Sequence, residues 1–276
     1  MESHIIPKRM KNYLVSPGSR IHLTHWNPDA TGGLKGGKAS AENLLPSIIT
    51  KLEQLQELLY AEKKHKLLIV LQAMDTGGKD GTIRKVFEGV NPQGVRVASF
   101  KQPSVEEAAH DYLWRVHREL PANGEIVIFN RSHYEDVLVT RVHHLVPEKI
   151  IGNRYRQIND FERMLTEEGT SILKFFLHIS KDEQKKRIED RLKERDKSWK
   201  FSESDVAERG YWHQYTKAYE LVLGKTSTRY APWYIVPANH KWFRNYYVAH
   251  TIVKTLESMK MKYPRPIPGL GRVKVK

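Results

Sequence analysis

The sequence predicts an α/β fold, a parallel sheet with helices on both faces. Short apolar runs recur without the alternation of a half-exposed strand, as in Leu67-Leu68-Ile69-Val70-Leu71, which is the pattern of a strand buried on both faces. Amphipathic segments separate these runs, and strands alternating with helices argue for parallel pairing through right-handed crossovers. A glycine-rich turn ending in a lysine follows the first run directly.

Residues 1–40 read as an N-terminal extension outside the core, because Pro7, Pro17, Pro28 and the glycines Gly32, Gly33, Gly36 and Gly37 interrupt any periodicity. A helix follows over 41–61, where Ile48, Leu52, Leu55 and Leu59 form one apolar face. Strands are expected at 67–71, 95–100, 125–129, 171–179 and 233–236. Helices are expected at 79–88, 104–119, 134–139, 147–168, 181–195, 204–223 and 241–261. No repeat or linker divides 41–262, so one domain is expected, with a lid at about 181–205. Residues 263–276 form a basic C-terminal tail with Pro264, Pro266 and Pro268.

With 276 residues, 39% hydrophobic and 28% charged, the chain has the composition of a globular protein. Its 46 Lys and Arg against 32 Asp and Glu leave a formal charge of +14, which points to a polyanionic partner. Nucleic acid, an anionic membrane and a phosphate polymer all fit that sign. The absence of cysteine excludes disulfides, thiolate catalysis and cysteine-ligated zinc. No apolar run resembles a signal peptide or a membrane span, so a cytoplasmic protein is expected.

The most informative stretch is Ala73-Met74-Asp75-Thr76-Gly77-Gly78-Lys79-Asp80-Gly81. A strand, a glycine turn and a lysine opening a helix can cradle phosphates, because backbone N–H groups and the helix dipole face the anion. The stretch departs from the usual G-x-x-x-x-G-K-[ST] pattern, with Ala73 at the first glycine and Asp80 at the Ser or Thr. Asp75 and Asp80 instead bring two carboxylates able to hold a hard cation. A plain glycine turn with an N-terminal Asp is the alternative.

Residues 125–129 lead into Asn130-Arg131-Ser132-His133-Tyr134-Glu135-Asp136. Arg131 stands at the C-terminal edge of a parallel strand, where such folds bind ligands, and could neutralise a transferred phosphoryl group. Asn130 could accept from a metal-bound water. For Glu135 and Asp136, stabilising the helix start and serving the site are both open. Arg187, Arg191 and Arg195 share one face of the basic segment, either as a solvated helix laced with ion pairs or as an arginine-rich lid. Trp242, Tyr246, Ala249, Val253 and Leu256 follow helical spacing and are expected to be core rather than a base-stacking platform.

Taken together, the 73–81 motif, the 129–136 motif, the arginines at 187 and 191, and the segments 175–181 and 232–238 resemble the polyphosphate kinase type 2 family over about residues 45–263. The resemblance implies a thymidylate-kinase-like P-loop fold that phosphorylates a nucleotide from inorganic polyphosphate with Mg²⁺, or Mn²⁺ in its place. It places Asp75, Lys79 and Arg131 at the reaction, with Asp75 and Asp80 as metal ligands. Gly77, Gly78, Lys79, Asp80, Gly81, Arg187 and Arg191 would line the polyphosphate path. Asn130, Arg131, Tyr134, Glu135 and Asp136 would meet the nucleotide. Glu135-Asp136, where some members have Asn-Arg, resembles the subgroup acting on both AMP and ADP to give ADP and ATP. Asn130 is a departure from members with aspartate at the strand end. A homo-oligomer, dimer or tetramer, is also implied, with no nucleic acid or membrane as partner. The rival readings are a nucleotide-donor nucleoside or nucleoside monophosphate kinase and a nucleic-acid-binding protein.

Overall fold

Buried, non-alternating runs can satisfy their backbone only in the middle of a sheet, and here they do so in one five-stranded sheet. The computed structural model describes residues 13–193, 203–266 and 268. In chain order the elements are α1 (Gly37–Glu62), β1 (Lys66–Ala73), α2 (Lys79–Val86), β2 (Val95–Ser99), α3 (Val105–Ala108), α4 (Trp114–Arg118), β3 (Ile126–Asn130), α5 (Glu135–Val142), α6 (Glu148–Glu167), β4 (Thr170–His178), α7 (Lys181–Lys193), α8 (Glu203–Gly210), α9 (Trp212–Thr226), β5 (Trp233–Pro237) and α10 (Lys241–Ser258). The strands are all parallel in the order β2-β3-β1-β4-β5. Helices α1, α2 and α10 pack together on one face, and α5, α6 and α9 on the other. The carboxyl ends of β1, β3 and β4 meet at one edge, where Leu71 pairs with Asn130 and Ala73 with Leu177.

Two expected helices are broken. The 104–119 segment divides into α3 and α4 because the Asp111 side chain accepts from Leu113 N at 2.9 Å and turns the chain between them. The 204–223 segment divides at Gly210 and Tyr211 into α8 and α9, where glycine offers helix little support.

The described part of the expected N-terminal extension is a strap on the β5 edge, not a separate element. Tyr13, Val15, Ile21 and Leu23 are buried. Val15 N donates to Trp233 O at 2.8 Å, and Ser227 Oγ donates to Val15 O at 2.7 Å. Anchors this isolated carry no periodicity, so the sequence pattern misses them. Of the expected lid, residues 194–202 with Arg195 lie outside the described residues, as do 267 and 269–276 of the tail.

A polar knot fixes β4 to the helices on one face. Lys174 Nζ donates to Glu162 Oε2 at 2.6 Å, Tyr134 OH at 2.9 Å and Thr226 O at 2.7 Å, and Tyr134 OH donates to Glu162 Oε1 at 2.7 Å. Lys174, Glu162 and Tyr134 are each 0% exposed. Removing one charge leaves the other buried and uncompensated, so Glu162→Gln is expected to destabilise by about 3–5 kcal/mol in urea unfolding. Burial also holds the His178 imidazole down at about 4, where its Nε2 lies 3.0 Å from Trp26 O of the strap. The unfolded chain therefore takes up this proton first as pH falls below the ordinary 6.5, and the folded state loses stability from there to about 4. Thermal unfolding across that interval is expected to show a shallower pH slope in His178→Gln than in the wild type.

Candidate active site

The turn between β1 and α2 is shaped by two left-handed residues, Thr76 at φ 61° and Gly78 at φ 99°. Gly78 is required there on two counts. Its φ favours glycine, and a Cβ would lie 1.9 Å from Arg244 Nη1. Gln184 Nε2 donates to Asp75 O at 3.1 Å, Arg187 Nη1 to Thr76 O at 3.1 Å, and Tyr219 OH to Ala73 O at 3.0 Å, so α7 and α9 brace the turn from outside. Lys79 then opens α2. Burial pushes its ammonium below the ordinary lysine value, Asp75 opposes that shift and Arg131 adds to it.

At the end of β3, Asn130 Nδ2 donates to Asp80 Oδ1 at 2.8 Å, and Arg131 Nη2 donates to Asp75 Oδ1 at 3.2 Å. Arg131 is itself left-handed, at φ 62°. A non-glycine residue in that region is strained and clusters at functional sites. Burial works against the Arg131 charge, but Glu135 and Asp75 outweigh it and hold the guanidinium above its ordinary value.

These residues line a cleft of about 980 Å³ along the sheet edge, with nine Lys or Arg and four Asp or Glu in its wall. It contains Asp75, Gly77, Gly78, Lys79, Asp80, Gly81, Asn130, Arg131, Arg187 and Arg191, so most of the residues read from sequence are brought together. A neighbouring cavity of about 250 Å³ shares Asp75 and Arg131 and is otherwise different in character. Glu135, Glu208, Trp212, Tyr215 and Tyr219 are among its lining. Glu208 accepts from Tyr215 OH at 2.8 Å and pairs with His143 Nε2 at 3.1 Å. Burial raises the Glu135 carboxyl above its ordinary value, against Arg131 and Lys79.

Two expected nucleotide contacts are not brought to either cavity. Tyr134 is committed to the knot with Lys174 and Glu162. Asp136 points to Arg115 at 3.8 Å and Arg154 at 3.7 Å, and serves packing between α4, α5 and α6. Arg187 lines the cleft, but as a buried clasp rather than an exposed lid arginine. Its Nη2 donates to Ala238 O at 2.6 Å and its Nε to Glu183 Oε1 at 2.7 Å.

The sequence offers Lys241 and Arg244 only as part of a possible base-stacking platform and leaves Asn245 out, yet all three line the cleft from the first turn of α10. The signal was present. Cations in the first turn of a helix oppose its dipole and call for an anion nearby. Of the expected core residues of the same helix, Tyr246, Ala249, Val253 and Leu256 are buried, with Phe243 and Tyr247 beside them, while Trp242 is only partly buried against the core.

Asp75 and Asp80 both line the cleft, and among the described residues no group of three or more metal-ligating side chains occurs. Mg²⁺ commonly takes one or two carboxylates and fills its shell with water and substrate phosphate, so this pair fits it. No helix among the described residues is long and apolar enough to cross a membrane.

A parallel sheet with a glycine turn and a helix-opening lysine at the end of its first strand, facing a cationic cleft, defines a P-loop kinase. The chain belongs to the polyphosphate kinase 2 family. The family model described as Polyphosphate kinase 2 (PPK2) matches residues 37–264. An AMP/ADP-polyphosphate phosphotransferase of Meiothermus ruber is 58% identical over 257 residues, 93% of this chain and 96% of the relative. An ADP-polyphosphate phosphotransferase of Rhodopseudomonas palustris is 44% identical over 273 residues, 95% of this chain and 94% of the relative. The crystal structure of Polyphosphate Kinase 2 from Arthrobacter aurescens TC1 superposes with a TM-score of 0.90 at 43% identity, covering 94% of this chain and 93% of that one.

The Gly78 geometry separates two substitutions. Gly78→Ala is expected to destabilise by about 1–3 kcal/mol. In Gly81→Ala the Cβ would meet its nearest neighbour, Arg244 Nη2, at an ordinary 3.6 Å, so helix propensity makes that change neutral or stabilising by up to about 1 kcal/mol. Urea unfolding of the pair checks the contrast.

Proposed function

We propose that the chain transfers the terminal phosphoryl group of inorganic polyphosphate to AMP and to ADP, forming ADP and ATP. The observation that carries this reading is the meeting of two unlike cavities at Asp75 and Arg131. A wide cationic cleft suits a long polyanion. The smaller cavity has aromatic walls suited to a base, and Glu135 and Glu208 to accept from its amino group and from ribose hydroxyls. The two reacting phosphates then meet at the residues both cavities share.

In this reading an anionic oxygen of the nucleotide phosphate attacks the terminal phosphorus of the chain. The new P–O bond forms as the bond to the bridging oxygen breaks, and the shortened polyphosphate leaves with that oxygen negatively charged. The attacking oxygen needs no strong general base. The difficulty is repulsion between two polyanions, and preorganised cations relieve it most where charge develops. Lys79 lies against the donor phosphates. Arg131, oriented by Asp75, faces the transferred group. Mg²⁺ held by Asp75 and Asp80 would neutralise phosphate charge and align the oxygens. Glu135, rather than Asp136, is the member of that pair placed to influence the acceptor. The same reading has the chain act as a cytoplasmic homo-oligomer, dimer or tetramer.

Purified protein incubated with Mg²⁺, long-chain polyphosphate and either AMP or ADP is expected to give ADP and then ATP from AMP, and ATP from ADP, by chromatography. Product from only one acceptor would overturn the dual specificity, and transfer only from ATP would move the chain to an ordinary nucleotide-donor kinase. Lys79→Ala is expected to lower kcat by about 10²–10³-fold, as when a preorganised charge-stabilising donor is lost. Near wild-type turnover in the folded variant would remove Lys79 from the site.

A further inference from the structure

Arg244 is a buried cation with no anion beside it among the described residues. It is 3% exposed. Its Nε and Nη2 both donate to Asn245 Oδ1, at 3.2 and 3.0 Å, a neutral acceptor supplied by the next residue. It makes no ion pair with any carboxylate among the described residues. Its remaining terminal nitrogen, Nη1, is aimed at the phosphate turn, 1.9 Å from where a Gly78 Cβ would stand, and Arg187 Nη1 reaches to 3.6 Å of the same point. Two guanidinium groups therefore converge on the outside of one glycine. Arg187 is neutralised by Glu183 and spends its donors on backbone carbonyls. Arg244 is not neutralised by any described residue. Burial and the nearness of Arg187 bring its guanidinium down to about 9, far below what arginine normally shows.

A charge held in this state opposes the unliganded fold, because desolvation and like-charge repulsion act together. Sequence and structure nevertheless converge to keep it there: glycine at position 78 leaves the space, Asn245 fixes the plane of the guanidinium, and α10 starts with two cations against its own dipole. An oxyanion on the turn would turn each of these unfavourable terms favourable. It would supply the missing counter-charge and match the fork geometry that a guanidinium offers to phosphate.

We propose that Arg244 binds the donor polyphosphate, holding phosphates of the chain that remain with the leaving group, while Lys79 and Arg131 handle the phosphoryl group in transfer. The proposal rests on the polyphosphate reading of the cleft and assigns to the first turn of α10 a share of the donor site. Arg244 lines the cationic cleft and is absent from the smaller cavity, so its loss should affect donor and acceptor unequally.

The test compares wild type, Arg244→Gln and Arg244→Lys by thermal unfolding with and without tripolyphosphate, and by steady-state kinetics with polyphosphate and ADP varied separately. Arg244→Gln is expected to unfold, without ligand, at the wild-type temperature or above it, since an uncompensated charge has gone. Its stabilisation by tripolyphosphate should be much reduced, and its KM for polyphosphate raised by about tenfold or more, the scale for losing one charged partner of a phosphate. KM for ADP should stay within about twofold, because single-site effects rarely reach groups that share no contact. Arg244→Lys should fall between, since lysine keeps the charge and loses the fork. The proposal is overturned if Arg244→Gln loses stability without ligand while its tripolyphosphate shift and its KM for polyphosphate match the wild type, which would make Arg244 a packing residue. It is also overturned if KM rises equally for both substrates. If wild type itself is neither stabilised by tripolyphosphate nor able to use polyphosphate, the reading of the cleft fails first and this inference with it.

Discussion

The site depends on one buried guanidinium, that of Arg187. Through Nη1 it holds Thr76 O of the phosphate turn, through Nη2 it holds Ala238 O and Asn239 O beyond β5, and through Nε it is tied to Glu183 on its own helix. Three pieces of chain that are far apart in sequence converge on it. Thr76 pays a conformational penalty for its left-handed backbone, and charge-assisted bonds from a fixed arginine are strong enough to hold it. The end of β5 is placed by the same group, so α10 starts where its first turn faces the turn after β1. Without Arg187 neither the carbonyl of Thr76 nor the approach of Arg244 would be fixed.

From that arrangement follows a division of charge. The wide cleft carries more than twice as many basic as acidic side chains, whereas in the small cavity three carboxylates, Asp75, Glu135 and Glu208, face one arginine. By charge, the first suits a long polyanion and the second does not. The end of a nucleotide that donates hydrogen bonds fits the second better than the first. Low-dielectric walls concentrate such fields, and the formal charge of +14 brings polyanions to the cleft's neighbourhood at moderate salt. In the proposed reaction this difference in charge between the cavities would orient two substrates that are both negatively charged. Arg131 sits between the two cavities, bound to Asp75, and the pair is common to both linings.

How far the site could be read from sequence follows from what a linear pattern encodes. β1, β3, β4 and β5 were legible because they are buried along nearly their whole length, and the phosphate turn because glycines and a helix-opening lysine stand at fixed offsets. β2, an edge strand with Arg96, Val97 and Ser99 exposed, carries a weaker form of the same signal. Direction was not legible. Tyr134, Glu135 and Asp136 are consecutive, and about 100° separates successive side chains on a helix. Only Glu135 faces a cavity, while Tyr134 enters the knot with Lys174 and Asp136 turns to Arg115 and Arg154. A motif delivers all three to the neighbourhood and says nothing about which one looks inward. Arg244 was hidden for a related reason: it lies between Phe243 and Tyr246, both core residues, and the aromatic pattern of the helix masks a cation pointing the other way. The strap at 13–36 was invisible because single anchors leave no period.

Asn130 shows how one uncharged side chain at a strand end sets the physics of its surroundings. Its amide donates to Asp80 at 2.8 Å. An aspartate there would set two carboxylates against each other at hydrogen-bonding distance, an arrangement that holds only when a proton or a cation is shared between them. With asparagine the contact is attractive by itself, so Asp80 is oriented by the protein before any cation arrives. The cleft also carries one negative charge fewer than it would with aspartate, which favours a polyanionic donor. A cation held by Asp75 and Asp80 would then have fewer protein charges to reconcile and more of its shell to give to substrate phosphate. In this chain the strand-end residue aligns a neighbour, and in the proposed reaction the positive charge near the transferred group would come from Arg131, one position later.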